Sequence, residues 1–388
     1  MLTKNVCIVV QHYYPKDVRV RKQAMALRSQ GHRVSVIALC DINEPKQETV
    51  DGVKVYRMAL QKKRTGVLRY LFEYVSFFLY SFYKLNLLDL KEKFDVVHIN
   101  TLPDFLVFCA CIQKLKGRRV VLDMHEIMPE FFMSKFKARP ESSMVRLLLS
   151  LEKISLKFAD AVITINEPIK QIFQTRALPG RHITVVMNTV DGVTVRAIRE
   201  QKHNGFNCVY HGTITDLYGL DTAIEGFSKA SRKFGDMAFH IFGSGPNLSH
   251  LKSLVKKRNL QESVIFHGDV PHERMMEFLT EMDLGILAYR KDVFLNLCFS
   301  NKLAEYVYFR IPVISSDLDT TKHYFTDEEI LFFEAGNANE LAQKILFAHS
   351  NRERVRKMAD LAFEKYKAYD WTIMARRYLK VIEDSSRN

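Results

Sequence analysis

Ser300-Asn301-Lys302-Leu303-Ala304-Glu305-Tyr306, followed by Ile311-Pro312-Val313-Ile314, sets a short helix directly before a short apolar strand. That succession is one half of a βαβ unit, and the parallel-sheet reading of the whole chain grows outward from it. Ser300 and Asn301 are residue types that cap free backbone N–H groups, and the helix dipole leaves that end mildly positive. Lys302 adds a full positive charge, so the helix entry suits a phosphate or diphosphate. Glu305 falls on the same helical face at i+3 and offers a hydrogen-bond acceptor to a ribose diol. Taken alone, the pair equally fits a surface Lys–Glu contact on a capped helix.

The same alternation runs through the chain. In the second half, strands are predicted at Asn207–His211, Ala238–Phe242, Val264–His267, Leu284–Ala288, Val313–Ser315 and Leu331–Phe333. Helices fall between them near Gly219–Ser231, Leu248–Arg258, Glu273–Thr280, Lys302–Val307 and Asn339–Ala348. In the first half, strands are predicted at Val6–Val10, Val34–Ala38, Val53–Arg57, Val96–Ile99, Arg119–Leu122, Ala161–Ile165 and Thr184–Val186. Helices there are expected near Val18–Gln30, Leu68–Leu87, Phe105–Leu115, Met144–Phe158 and Glu167–Gln174, the last with Pro168 well placed at its start. The expected organisation is α/β: two Rossmann-like, doubly wound domains facing across a cleft, over residues 1–195 and 196–370, with a C-terminal helix over 371–388. The polar stretch Arg196–Gly205 is the expected linker. The last helix, from about Trp371 to Ile382, either caps the second domain or crosses back to the first.

Composition narrows the partners. The 388 residues are 47% hydrophobic and 26% charged, values of a globular protein long enough for two cores. A net charge of +13 attracts polyanions, whether nucleic acid, anionic lipid or phosphorylated ligands. With no zinc-finger, helix-turn-helix or RNP-type pattern, no nucleic acid partner is expected. The six cysteines form neither a disulfide framework nor a zinc pattern, and the N-terminus reads without a secretory leader, so a cytoplasmic location is expected.

Open α/β sheets bind ligands beyond the carboxyl ends of their strands. His125-Glu126 and Gly243-Ser244-Gly245-Pro246 follow predicted strands, and His98, His211-Gly212-Thr213 and His267-Gly268-Asp269 stand at strand ends. Each alone is what ordinary turns leave; their concentration on one predicted face is the signal.

These motifs, in this order and spacing, resemble the family 4 retaining glycosyltransferases with the GT-B fold, over nearly the whole chain. Asp17-Val18-Arg19-Val20-Arg21, Phe94-Asp95-Val96-Val97-His98, Leu122-Asp123-Met124-His125-Glu126 and Asn188-Thr189-Val190-Asp191 carry the likeness in the first half. Tyr210-His211-Gly212-Thr213, Tyr218-Gly219-Leu220-Asp221, Phe242-Gly243-Ser244-Gly245-Pro246, Phe266-His267-Gly268-Asp269 and the opening segment carry it in the second. The resemblance implies transfer from a UDP- or GDP-type nucleotide sugar to a glycan or lipid-linked acceptor in cell-surface polysaccharide or glycolipid biosynthesis. It implies catalysis by His125, Lys302 and Glu126. The donor is expected on Gly212, Thr213, Gly243, His267, Asp269, Val270, Ser300, Asn301, Lys302 and Glu305, with Arg19 adding charge. The acceptor is expected on Asp17, Glu126 and His98. The resemblance implies no metal and no cofactor, with Lys302 in place of Mg²⁺. The family's usual basic residues are replaced here by Thr213 and Tyr218, a second Glu by Leu297, and the opening Gly-Gly by Pro15-Lys16-Asp17. Another GT-B sugar-nucleotide enzyme of epimerase type, or a non-catalytic binder of sugar nucleotides or nucleic acid, is the alternative reading.

The segment from Lys62 to Lys84 combines basic flanks with dense aromatics, as does Phe131–Lys137. Glu73 interrupts the first, which argues against a membrane span. Contact with an anionic membrane surface and burial against the first sheet both fit, and a peripheral location at the inner face of a membrane follows from the first.

Overall fold

Runs of β-branched residues bounded by turns make the strands, and because both sheet faces are covered these runs are continuously apolar. Val6, Cys7, Ile8 and Val9 are fully buried, as are Cys208, Val209 and Tyr210. The computed structural model describes residues 3–63, 66–190 and 205–384. It divides into unit 1, Met1–Asn188 with Thr372–Asn388, and unit 2, Thr189–Trp371.

Unit 1 holds β1 (Asn5–Tyr13), β2 (Arg33–Leu39), β3 (Gln47–Val50), β4 (Val53–Met58), β5 (Val96–Asn100), β6 (Arg119–Met124), β7 (Ala161–Thr164) and β8 (Ile183–Val185). They form one sheet in the order β3-β4-β2-β1-β5-β6-β7-β8, parallel except for the β3–β4 pair. Its helices are α1 (Val18–Ser29), α2 (Val67–Glu92), α3 (Cys111–Leu115), α4 (Met128–Phe136), α5 (Ser143–Phe158) and α6 (Glu167–Arg176). Short polar side chains start several of them: Asp17 accepts from the Arg19 N–H, Ser142 from Val145 and Asn166 from Ile169.

Unit 2 holds β9 (Phe206–His211), β10 (Met237–Phe242), β11 (Val264–Gly268), β12 (Leu284–Leu287), β13 (Val313–Ser316) and β14 (Leu331–Phe333), all parallel in the order β11-β10-β9-β12-β13-β14. Its helices are α7 (Leu220–Ser231), α8 (Leu248–Lys257), α9 (His272–Leu279), α10 (Asn301–Tyr308), α11 (Asp319–Tyr324), α12 (Ala338–Ser350) and α13 (Arg352–Tyr366). The strand order reverses between β1 and β5 in unit 1 and between β9 and β12 in unit 2. Such switch points open a crevice at the strand carboxyl ends, where ligands bind.

The chain ends in α14 (Trp371–Glu383), which belongs to unit 1 and so resolves the two readings of the last helix. The Tyr378 hydroxyl bonds His98 Nδ1 at 3.1 Å, and Lys4 Nζ donates to the Ile382 and Glu383 carbonyls at 3.0 and 2.9 Å. A cation on the last carbonyls of a helix is favoured by its dipole.

Four expectations change. The helix expected at Phe105–Leu115 is a 3-10 helix, Asp104–Ala110, running into the short α3. Strand β3 and helices α4 and α11 were not anticipated, because their segments are short and show no long apolar period. Helix α13 escaped because two of its four buried positions, Ala359 and Ala362, are alanines among Arg, Lys and Glu. Ser300 stands at the start of α10 without a side-chain capping bond; its hydroxyl pairs with Tyr289 instead. Most of the expected linker, residues 196–204, and Asp191 lie outside the described residues.

Candidate functional site

Within unit 2, the ends of β9, β10 and β11 are stitched by backbone bonds: Gly212 N–H to Phe242 at 2.9 Å, Ile214 N–H to Ser244 at 2.8 Å and Gly243 N–H to Gly268 at 2.6 Å. Gly212 has φ +115° and Gly243 φ +122°, and a Cβ on Gly243 would run into the Gly212 carbonyl. Glycine is therefore required for these two turns to approach each other.

Lys302 rises from the first turn of α10 beside this stitch. Its Nζ lies 4.7 Å from the Tyr218 ring centroid, 5.5 Å from Tyr210 and 5.8 Å from Tyr289. The ring faces attract the ammonium without neutralising it. Tyr210 donates its hydroxyl to the Thr213 carbonyl at 2.8 Å, and Tyr289 bonds Ser300 at 2.9 Å, so two rings of the box are held. Burial lowers the Lys302 pKa from the ordinary lysine value, against the opposing pull of Tyr218 and Glu305. Glu305 points to His211, with Oε2 and Nε2 3.1 Å apart, and the His211 ring stands edge-on to Tyr306. Asn301 and Thr213 are exposed beside Lys302.

At the β10–β11 edge, His267 lies flat on Phe242, with ring centroids 4.1 Å apart at 8°, and its Nε2 is 3.0 Å from His240 Nδ1. Burial lowers the His267 pKa. Ser244 donates to Asp269 at 2.6 Å, and Val270 follows, half-buried, before Pro271. The sequence-predicted residues of unit 2 therefore gather at the ends of β9, β10, β11 and the start of α10.

Within unit 1, the period of two along β5 and β6 puts His98, Asn100, Asp123 and His125 together. His125 Nε2 donates to Asn100 Oδ1 at 2.8 Å, which assigns the ring proton to Nε2. The other nitrogen, Nδ1, is buried and has no hydrogen-bond partner among the described residues, so its lone pair is unused. Burial pushes the His125 pKa down to about 4, with Arg19 and His98 adding to the shift and Asp123 and Asp17 opposing it, so the imidazole is neutral at pH 7. Asp123 accepts from Gln23 at 2.7 Å and sits 3.5 Å from His98 Nε2. Burial alone would raise its pKa, yet the two histidines and Gln23 hold it below the ordinary carboxylate value.

A cavity of about 190 Å³ opens beside His125, lined among others by His12, Arg19, Tyr70, Thr101 and Glu126. Arg19 is held by both oxygens of Asp17, at 3.0 and 2.8 Å. Two expected acceptor contacts are corrected here. Asp17 is 5% exposed, caps α1 and clamps Arg19, so its role is to position that guanidinium. His98 is fully buried between Tyr378 and Asp123 and reaches no ligand.

Sequence reasoning passed over several residues. Tyr210, Tyr218 and Tyr289 form the box, but aromatics before a turn read as core. Asn100 orients His125 from the neighbouring strand, a pairing visible only through the register that sets Asn100 beside Asp123. Arg290 is a cation near the Tyr218 loop whose charge is spent on Asp216 and Asp221, at 3.0 and 2.7 Å. Among the described residues no cluster of three or more His, Cys, Asp or Glu is arranged to hold a metal ion.

Comparison with known proteins places this geometry. The phosphatidylinositol N-acetylglucosaminyltransferase GPI3 subunit of Saccharomyces cerevisiae (strain YJM789) is 22% identical over 237 residues, 58% of this chain and 51% of the relative. The chain thus spans about half the length of the curated relatives it matches. Sucrose-phosphate synthase from Thermosynechococcus elongatus superimposes with a TM-score of 0.76 at 16% identity, covering 98% of both chains. Anabaena HepE in complex with UDP superimposes at 0.69 with 13% identity, covering 98% of this chain and 99% of that one. These likenesses establish the GT-B fold. Residues 17–189 match the glycosyl transferase 4-like domain, and residues 194–365 match the glycosyl transferases group 1. With the two matches together taking in most of its length, the chain belongs to the family 4-like glycosyltransferases.

Proposed function

We propose that the protein moves a sugar from a UDP- or GDP-type nucleotide sugar onto a glycan or lipid-linked acceptor, in polysaccharide or glycolipid biosynthesis at the inner face of a membrane. The observation that carries the reading is Lys302, a half-buried cation on a three-tyrosine box at the β9–β12 switch point. A diphosphate there regains for the ammonium the ionic partner that burial took from its water. Anabaena HepE, which shares the fold, binds UDP.

In the transfer, the anomeric C–O bond breaks and its electron pair leaves on the diphosphate. Lys302 stabilises that charge and stands where a divalent cation otherwise would. Losing such a contact costs roughly 3–4 kcal/mol in the barrier. The acceptor oxygen attacks the anomeric carbon from the face the phosphate leaves, which retains configuration, and the acceptor proton passes to the departing phosphate. Gly212, Thr213 and Gly243 bring backbone to the phosphates, with Ser300 and Asn301 at the helix entry. Glu305, beside His211, takes the ribose, and the segment His267–Val270, with Asp269 tied to Ser244, takes the base. In unit 1, neutral His125 accepts an acceptor hydroxyl at Nδ1, Glu126 contacts the acceptor, and Arg19 lines the same cavity.

A thermal-shift panel of UDP-, GDP- and dTDP-sugars tests the reading, because a ligand stabilises the state it binds. One class should raise the midpoint, and turnover should release the matching nucleoside diphosphate. Lys302→Ala should abolish that turnover with the fold intact. Undiminished turnover in Lys302→Ala would overturn the site, and conversion of the donor to its epimer with no diphosphate released would favour the epimerase-type alternative.

A further inference from the structure

Helix α2 turns an apolar face to solvent. Among its described side chains, every exposed position from 68 to 90 is apolar or aromatic. Leu68 (84%), Phe72, Val75, Leu79, Tyr83, Leu87 and Leu90 (71%) recur at the three- and four-residue spacing of one helical stripe. At 26 residues the helix is roughly 39 Å long. Its acids are withdrawn: Glu73 is buried on Arg69, Asp89 is buried on Lys116, and half-buried Glu92 pairs with Lys54.

The stripe does not end with α2. Phe78 packs on Phe105 of the 3-10 helix at 5.8 Å, and Phe108 of that helix packs on Phe158 of α5 at 5.1 Å. On α5, exposed Met144, Leu147 and Ile154 lie on the side of Phe158. Exposed Arg146, Lys153 and Lys157 stand about a third of a turn further round. Exposed Lys135, Lys137 and Arg139 extend the cationic rim, with Glu141 the one exposed acid between α4 and α5. Among the described residues no helix is long and apolar enough to cross a membrane.

We infer that the α2–α5 face of unit 1 docks in the plane of an anionic bilayer, its apolar stripe immersed and its cationic rim on the lipid headgroups. An apolar centre edged by cations matches the layering of such a surface. A second copy fits less well, because two such rims brought together repel, and the chain already carries +13. This deepens the membrane placement proposed above and rests on that part of it alone.

The test is flotation of the full chain with vesicles of phosphatidylglycerol and phosphatidylcholine, against vesicles of phosphatidylcholine alone, at low and high salt. The wild type should float with the anionic vesicles at low salt and lose most binding at high salt. Phe72→Ser with Leu79→Ser, and separately Arg146→Glu with Lys153→Glu and Lys157→Glu, should each lower the bound fraction on the order of tenfold or more. All these side chains point into solvent, so both variants should keep the wild-type melting midpoint and nucleotide-sugar shift. No flotation of the wild type, or flotation unchanged in both variants, overturns the inference. So does a wild-type dimer, by light scattering, that Phe72→Ser with Leu79→Ser turns to monomer. If no nucleotide sugar shifts the midpoint while this flotation pattern holds, the docking face stands and the transfer reading falls.

Discussion

Gly212 and Lys302 occupy one space: a Cβ on Gly212 would collide with Lys302 Cε and stand 2.9 Å from its Nζ. The absent side chain at Gly212 is what lets the ammonium lie over the tyrosine rings. It follows that Gly212→Ala should displace Lys302 and also strain a backbone at φ +115°. Such strain costs on the order of 1–3 kcal/mol. A lower melting midpoint and weaker donor binding are expected, and the loss in binding should shrink when Lys302 is already alanine. Full additivity of the two substitutions would separate the residues.

Tyr218 stands where the family often carries a base, and its ring is the nearest to the Lys302 ammonium. Tyr218→Phe keeps the ring face and should leave donor affinity nearly unchanged. Tyr218→Leu removes it and should weaken affinity by about 0.5–2 kcal/mol. Equal affinities for the two variants, by calorimetric titration, would dismiss the ring's role.

Stability should respond to pH through two buried groups of opposite sign. His125 is held at about 4, so between that value and its ordinary 6.5 the unfolded chain takes up a proton that the folded protein refuses, and stability falls as pH falls. Glu152 is pushed up to about 7 by burial, so between 4.5 and that value the folded protein keeps a proton the unfolded chain releases, and stability falls as pH rises. Urea unfolding from pH 4.5 to 6.5 should therefore change slope in opposite directions in His125→Gln and Glu152→Gln, by at most about 1.4 kcal/mol per pH unit. Slopes moving the same way would refute the assignment.

Arg176 joins Glu130 at 2.6 Å and Glu152 at 3.0 Å, and Glu152 is fully buried. At pH 8, above the value to which burial pushes Glu152, Arg176→Ala leaves that carboxylate without its cation and should cost about 3–5 kcal/mol in denaturant unfolding, and less at pH 6, where Glu152 is protonated. Adding Glu152→Gln should recover part of the loss, since the orphaned charge is gone.

Much of the fold was legible because parallel strands buried on both faces spell apolar runs, as at Val6–Val10. What escaped lacked that contrast. Strand β3 is a polar edge, Gln47–Val50, half-exposed along its length, and α13 buries alanines. The site divides the same way. Lys302, Glu305, His125 and the glycine turns stood out as residue types at strand ends and helix entries. The tyrosine box did not, since Tyr210, Tyr218 and Tyr289 come from three separated segments and meet only when β9 and β12 pair. His98 misled for the converse reason: a strand-end histidine looks available until α14 closes over it.

By itself the sequence determined the two α/β units and the family, because period, turn chemistry and motif order are local properties. The tertiary structure decided which of the marked residues remain open to a ligand. Asp17 and His98 are consumed by Arg19, Asp123 and Tyr378, while the Lys302 ammonium lies on ring faces and His125 Nδ1 has no partner among the described residues. Whether a polar group is spent or available depends on partners from distant segments, and folding alone brings those partners within reach.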